Sequence, residues 1–396
     1  AVGYEALSAN INSDFSTAIG HQALKDQTGV NGTVANTAVG YYAGTNITTG
    51  IKNTILGTYA GYTSLLVDNT VLLGYNAGGS GAMTADADGT VAIGFSALQA
   101  LTTGQYNTAI GFEAASTMVN NDGITAFGYQ AAKGASGGGT YNTALGYQSL
   151  LVVDGGGNNV AVGAGTLKAL NSGANNVAIG TNAGLSINSG EGNNIIGMSA
   201  GDALTTGILN TVVGYFALST STDVDRVVAI GTEAMESGNV TSAADGTIAI
   251  GSKALKVLTT GQYNTAIGFE AGLVLTELDK NTLIGYQAGK ALSGSAGGGT
   301  HTFVGYKAGA ATTIGNSNTF VGSEAGTSIT NGLQNTAMGR GALATADGGE
   351  QNNVAIGMFA MNSVNNDSSD DNIIIGLEAG KGGTGTFSRN VAIGTV

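Results

Sequence analysis

Few residues in this chain are of types that do chemistry. Carboxylates lie close together in sequence at Asp86 and Asp88, at Asp223 and Asp225, and at Asp370 and Asp371. Two facing carboxyl groups are what acid/base cleavage of a glycosidic bond requires. Asp-Gly steps at Asp88, Asp122, Asp154, Asp245 and Asp347 are also ordinary turn chemistry, which places these acids in turns. The acidic segment NNDSSDDN, Asn365 to Asn372, supplies oxygen ligands of the kind Ca²⁺ takes at Asp367 to Asp371, and a solvated loop is the preferred reading. The two histidines, His21 and His301, stand where neighbouring repeats carry Tyr or Asn, without partners at catalytic or zinc-binding spacing. No glycine run ends in the Gly-Lys-Ser/Thr of a phosphate loop. The expectation is therefore no catalytic residue, no metal ligand and no cofactor-binding residue, in a protein that is not an enzyme.

The elements that carry these residues are copies of one unit. NTAIGFEA at Asn107 to Ala114 returns unchanged at Asn264 to Ala271, and degraded copies run from one end of the chain to the other. Numbered from their central glycines, Gly3 to Gly394, there are 23 copies, and 14 of the 22 intervals are 17 residues. That period is too short for helix-pair repeats and suits a β-solenoid with one coil per repeat. The expected fold is all-β, a parallel β-solenoid of about 22 coils that forms a single continuous domain over residues 1–396 and a rod about 105 Å long. DGTVAIGFSALQALTTGQYNTAIGFEA at Asp88 to Ala114 parallels DGTIAIGSKALKVLTTGQYNTAIGFEA at Asp245 to Ala271, so a block of nine coils was copied whole.

The columns of the repeat specify the coil. Positions minus one and minus two are apolar in all 23 copies, and minus three is β-branched in 21 of 22. Such a run reads as a strand of about four or five residues. Asn at minus four, in 15 of 22 copies, suits a corner where its amide bonds backbone or the Asn one coil above. The central glycine serves either a positive φ or a close backbone approach. Tyr or Phe follows it in 11 copies, and Ala stands at plus three in 20 of 22, with Ser149 and Thr166 the departures. These read as an aromatic column packed beside a small one. A second glycine at minus seven (Gly50, Gly104, Gly173, Gly190, Gly207, Gly261, Gly315, Gly332) marks a second corner, so the expected coil is strand, turn, second less regular strand, turn. Insertions at Lys25 to Ala35, Gly79 to Gly89, Glu236 to Gly246 and Lys290 to Thr300 fall on one arc of the coil.

Composition excludes several classes. Lys and Arg total 13 against 26 Asp and Glu, a net charge of −13, and no basic stripe exists for nucleic acid. No apolar run reaches the length of a membrane helix, so no membrane insertion by this segment is expected. The 68 glycines show no third-residue period, which excludes collagen. The chain starts inside a repeat at Ala1 and stops at Val396, as a window cut from a longer protein would.

Both faces of the strand are apolar, since minus three and minus one share one face and minus two takes the other. One face fills the narrow coil, and the other exposes more apolar stripe than a monomer usually does. The mostly Ala stripe at minus two, with Ile55, Leu72, Ile195, Leu283, Phe303, Phe320 and Ile374 among its larger members, allows close approach and is the expected interface of a threefold bundle of parallel chains.

The pattern NTAIGxxA, as at Asn107 to Ala114 and with a variant ending at Asn159 to Thr166, resembles the head repeats of trimeric autotransporter adhesins and the similar repeats of bacteriophage tail fibres. The resemblance implies a left-handed parallel β-roll and a homotrimer, extracellular on a virion or bacterial cell surface. It further implies a non-enzymatic structural and adhesive fibre shaft that gives reach and attachment to a host glycan or protein receptor. The coil of 17 is longer than that of the adhesin heads, which favours a phage fibre. The alternatives are a polysaccharide-binding or polysaccharide-degrading solenoid, dependent on Asp223 and Asp225, and an ice-binding rod, whose Thr column at minus three is broken by Val160, Val177 and Val354.

Overall fold

The computed structural model describes residues 1–396 apart from 12, 29–31, 135–136, 295–298, 347, 364–368, 382–386 and 396. The described residues form two compact units, Ala1–Asn193 and Asn194–Val396. Each is an all-β parallel solenoid.

Each coil lays down one strand, and the strand has three residues, minus three to minus one. In the first unit the ladder runs from Thr17–Ile19 to Val177–Ile179, and in the second from Asn194–Ile196 to Val391–Ile393. Register is like over like: Thr143 pairs with Val160 and that with Val177, Ala144 with Ala161 and Ala178, Leu145 with Val162 and Ile179. The second unit repeats this at Thr302, Phe303 and Val304 against Thr319, Phe320 and Val321. The strand is shorter than the four or five residues expected because both flanks leave extended geometry. Asn at minus four forms a buried corner, and the central glycine bends the chain with φ between +131° and +150°. That glycine also meets its neighbour closely: a Cβ on Gly111 would sit 2.3 Å from the carbonyl oxygen of Gly128. Both reasons for glycine therefore hold at once.

The second strand expected in each coil does not form among the described residues, apart from the two-residue pair Ser13–Asp14 with Gly32–Thr33 in an enlarged coil. The far side is a continuous run of turns. Residues at plus two and plus four are left-handed, as Glu113 (φ 51°) and Ala115 (φ 49°) show. A strand would send plus three and plus four to opposite faces. The left-handed residues curl both inward, so Ala97 and Leu98 are buried together. The backbone there bonds from coil to coil, Leu98 N–H to Ala114 O at 3.0 Å and Thr102 N–H to Val119 O at 2.8 Å.

The core of each coil is filled from minus two, plus three, plus four and plus seven (Ala109, Ala114, Ala115 and Met118 in one coil), all fully buried. Position minus two thus faces the coil interior. This corrects the expectation that its Ala stripe is an interface between chains: the strand's inner face is minus two, and the outer face is minus three and minus one. The larger residues at minus two are accommodated within the chain. Where minus two is Phe303, Phe320, Leu72 or Leu283, plus four is Gly309, Gly326, Gly78 or Gly289; where minus two is Ala18, Ala92 or Ala144, plus four is Leu24, Leu98 or Leu150. A Cβ on Gly309 would lie 2.5 Å from the Phe303 ring, and one on Gly326 would lie 2.5 Å from the Phe320 ring. Interiors hold nearly constant density, so one position gives up the volume the other takes.

Candidate interaction face

Three columns stand outward side by side: Thr, Val or Ile at minus three, the apolar residue at minus one, and the residue after the central glycine at plus one. In the first unit the minus-one column includes Ile19, Leu56, Phe127, Leu145 and Ile179, all exposed, with Phe127 at 51%. In the second it includes Ile196, Ile267 and Met338. The plus-one aromatics stack along the ladder. Tyr75, Phe95, Phe112, Tyr129 and Tyr147 follow one another at 5.2, 5.0, 5.3 and 5.2 Å with planes within 9°. Phe269, Tyr286 and Tyr306 do so in the second unit at 5.4 and 5.3 Å. Coil spacing near 4.8 Å places like rings at stacking distance, and each ring still leaves its edge in solvent.

This strip is almost free of charge. In a chain of net charge −13, the three columns contain one formally charged residue, Arg340. Charges begin in the next column, at plus two, where carboxylates are tied from coil to coil. Lys133 Nζ lies 2.6 Å from Glu113 Oε2, Lys290 Nζ 2.7 Å from Glu270, and Lys256 Nζ 2.7 Å from Glu233. Lys133, followed by the Gln130 amide, holds the Glu113 carboxyl below the usual range, and Lys290 with Gln287 does the same for Glu270. An uncharged apolar strip beside a rim of paired charges has the layout of a protein interface.

Most of the residues singled out for chemistry have structural partners; Asp223 Oδ1 and His21 Nδ1 are buried without a hydrogen-bond partner among the described residues. Asp68, Asp88, Asp122, Asp225, Asp245, Asp279 and Asp370 form one column at minus six, and each accepts a backbone N–H from the coil before, as Asp122 does from Gln105 at 2.8 Å and Asp225 from Ile208 at 2.8 Å. Burial, then the nearby charges of Asp68 and Asp86, push the Asp88 carboxyl up against the pull of its backbone hydrogen bond. Asp86 sits on the exposed 3-10 turn Ala85–Ala87. Asp371 accepts from the Asn352 amide at 3.1 Å and faces Arg389 at 3.7 Å. Asp367 and Asp347 lie outside the described residues. Among the described residues no group of three or more acidic or His side chains is arranged to hold a metal ion.

The Asn column is buried. Asn176 Nδ2 donates to Gly190 O at 2.8 Å and to Asn159 Oδ1 at 3.1 Å, while its Oδ1 accepts from the Asn193 backbone and side chain at 3.0 Å each. Every polar atom of that amide is used inside the coil. The carbonyl it bonds belongs to the second glycine, where close approach excludes a side chain: a Cβ on Gly173 would meet Gly190 O at 2.2 Å. His301 takes an Asn place in this column. Its Nε2 contacts Gly315 O at 2.9 Å and its Nδ1 accepts the Asn318 N–H at 3.3 Å, so the ring is neutral with its proton on Nε2. Burial, against the hydrogen bond to Gly315, lowers its pKa to about 4. His21 lies in the plus-one column between Tyr4 and Tyr41, with centroids 5.1 and 5.2 Å away. Ser149 and Thr166, the exceptions at plus three, are buried and bond Gly146 O and Gly180 O.

Sequence reasoning missed the outward columns because both strand faces are apolar. The signal that distinguishes them is that every Ile, Leu or Phe at minus two stands with glycine at plus four, as residues sharing one interior would. No protein-family model matches the chain, and comparison with curated proteins returns no match.

Proposed function

We propose that this chain is the structural and adhesive shaft of an extracellular fibre, a homotrimer of left-handed rolls displayed on a virion or cell surface, with reach and attachment as its work. The observation that carries this reading is the uncharged strip of minus-three, minus-one and plus-one side chains. It recurs in every coil of both units and is left open by the chain itself, and a closed threefold assembly covers one strip per chain. Identity spread evenly over all coils is what a shaft requires, whereas a pocket of unique geometry would be confined to a few. The resemblance of NTAIGxxA to adhesin-head and tail-fibre repeats points the same way. Among the described residues no helix is long and apolar enough to cross a membrane.

The test is solution mass by light scattering, on the wild type and on a variant carrying Ile110→Asp and Phe127→Asp in the outward column. The wild type is expected at three chain masses. The variant is expected at one, with its coil-to-coil circular dichroism retained, because both side chains point away from the core. A wild-type mass of one chain overturns the trimer.

A further inference from the structure

Position minus five, at the corner before the Asn, is left-handed in coil after coil and is mostly glycine or a polar residue such as Asn69, Asn158, Asn175, Ser317 and Gln334, with Phe15, Ala35 and Leu209 the apolar members. Three coils place a tyrosine there instead: Tyr106, Tyr141 and Tyr263, with φ of 56°, 57° and 54°. Nothing in the coil requires an aromatic at this corner. The rings are 71%, 63% and 59% exposed, more than any tyrosine of the stacked plus-one column that follows Tyr4.

In all three cases the coil before carries glycine in the same column. A Cβ on Gly89, Gly123 or Gly246 would lie 3.0, 2.7 or 3.2 Å from Cδ1 of Tyr106, Tyr141 or Tyr263. Each ring therefore rests against bare backbone and is held in place while most of its surface stays open. A rigid, seated ring loses little freedom when something stacks on it. Tyr106, Gly123 and Tyr141 occupy three consecutive coils, so two ring platforms stand about 10 Å apart along the ladder with a glycine step between them. The acids of the neighbouring column are fixed beside them: Asp122 Oδ1 is held by the Gln105 N–H at 2.8 Å and Asp88 Oδ1 by the Asp68 N–H at 2.8 Å. A carboxylate bonded through one oxygen keeps acceptor capacity for hydroxyl groups.

We propose that Tyr106 and Tyr141 form a ledge that binds an uncharged polysaccharide, its sugar rings stacked on the two tyrosines and its hydroxyls bonded to Asp88 and Asp122. This deepens the attachment role proposed above and rests on it. Aromatic faces are electron-rich and suit the C–H face of a pyranose, and two platforms separated by two coils match a chain ligand that repeats along the fold. The carboxylates and the net charge of −13 exclude an acidic glycan by repulsion. Tyr263 is a lone platform: the next coils carry Lys280 and Thr300, and its Asp245 is paired with Arg226 at 2.6 Å.

The test is affinity electrophoresis of the whole chain in native gels containing dextran, laminarin or guar galactomannan, with alginate as the acidic comparison. At least one of the three neutral polymers is expected to retard the wild type and alginate is not. Tyr106→Ala with Tyr141→Ala is expected to weaken that retardation at least tenfold, and Leu209→Ser, at the same exposed corner of another coil, to leave it unchanged. Retardation by none of the three, equal retardation by alginate, or a double variant that binds like the wild type overturns the ledge. Light scattering on the same samples separates the two readings: a trimer that binds no neutral polymer removes the ledge alone, and a monomer that binds one removes the trimeric shaft while the ledge stands.

Discussion

Replacing Phe303 by Ala removes a ring that is wholly buried inside one coil and stacked on Phe320 at a centroid distance of 4.9 Å. A buried Phe→Ala change costs about 3–5 kcal/mol, of which about 1 is the lost ring pair. Gly309→Leu alone is also damaging, because its Cβ would start 2.5 Å from the Phe303 ring, and overpacking of that kind costs about 3 kcal/mol. The two together recreate the Ala and Leu combination that other coils use at minus two and plus four, as Ala92 with Leu98 (φ 48°) does. The double variant should therefore lose only about 2 kcal/mol, from the missing ring pair and the left-handed Leu. The singles would then be coupled by about 4–6 kcal/mol. Solenoids open coil by coil, so the measurement is native-state hydrogen exchange at the amides of Thr302, Gly305 and Gly309, whose bonds run to neighbouring coils. Additive effects of the two changes would refute the shared interior. So would a Phe303→Ala variant that alters solution mass while leaving exchange untouched, since that would return minus two to an interface between chains.

The remaining predictions concern other columns. Asn176→Asp replaces the donor facing Gly190 O by a carboxylate oxygen in a buried site, and should destabilise its coils by about 3 kcal/mol, more than Asn176→Thr, read by exchange at Val177 and Asn193. Gly111→Ala combines a φ of +140° with a contact of 2.3 Å to Gly128 O and should cost more than about 4 kcal/mol, enough to lower the yield of folded chain in expression trials. His301 is neutral in the folded state down to about pH 4, against an ordinary value of 6.5. Above pH 6.5 neither state binds the proton; between 6.5 and 4 the unfolded state does and the folded state does not, so stability falls as pH falls, by about 3 kcal/mol in all, and levels off below. His301→Asn restores the ladder residue and should remove that part of the slope in paired denaturant titrations at pH 7 and pH 4.5.

Much of the coil was legible because repetition makes each column its own control. Asn at minus four, Ala at plus three and the central glycine were each assigned a structural part from type and recurrence, and their buried bonds and contacts agree. The acids were legible only as turn residues. Their common place at minus six can be counted from the central glycines, but its part, accepting a backbone N–H from the coil before, is seen only in the coil-to-coil hydrogen bonds.

By itself the sequence determined the period, the parallel in-register stacking and the position of the strand, because a fixed repeat of β-branched and apolar residues bounded by Asn and Gly has few other ways to satisfy its backbone. Only the tertiary structure decided which face of that strand is inside. Period-two alternation separates minus two from its neighbours but is silent on direction when all three are apolar. The direction follows from volume: the narrow coil holds Ala at minus two and plus three, and takes Ile, Leu or Phe at minus two only where plus four is glycine. The same left-handed turns that curl Ala and Leu inward on the far side replace the second strand that alternation suggested, and leave the aromatic strip and the tyrosine ledge facing out.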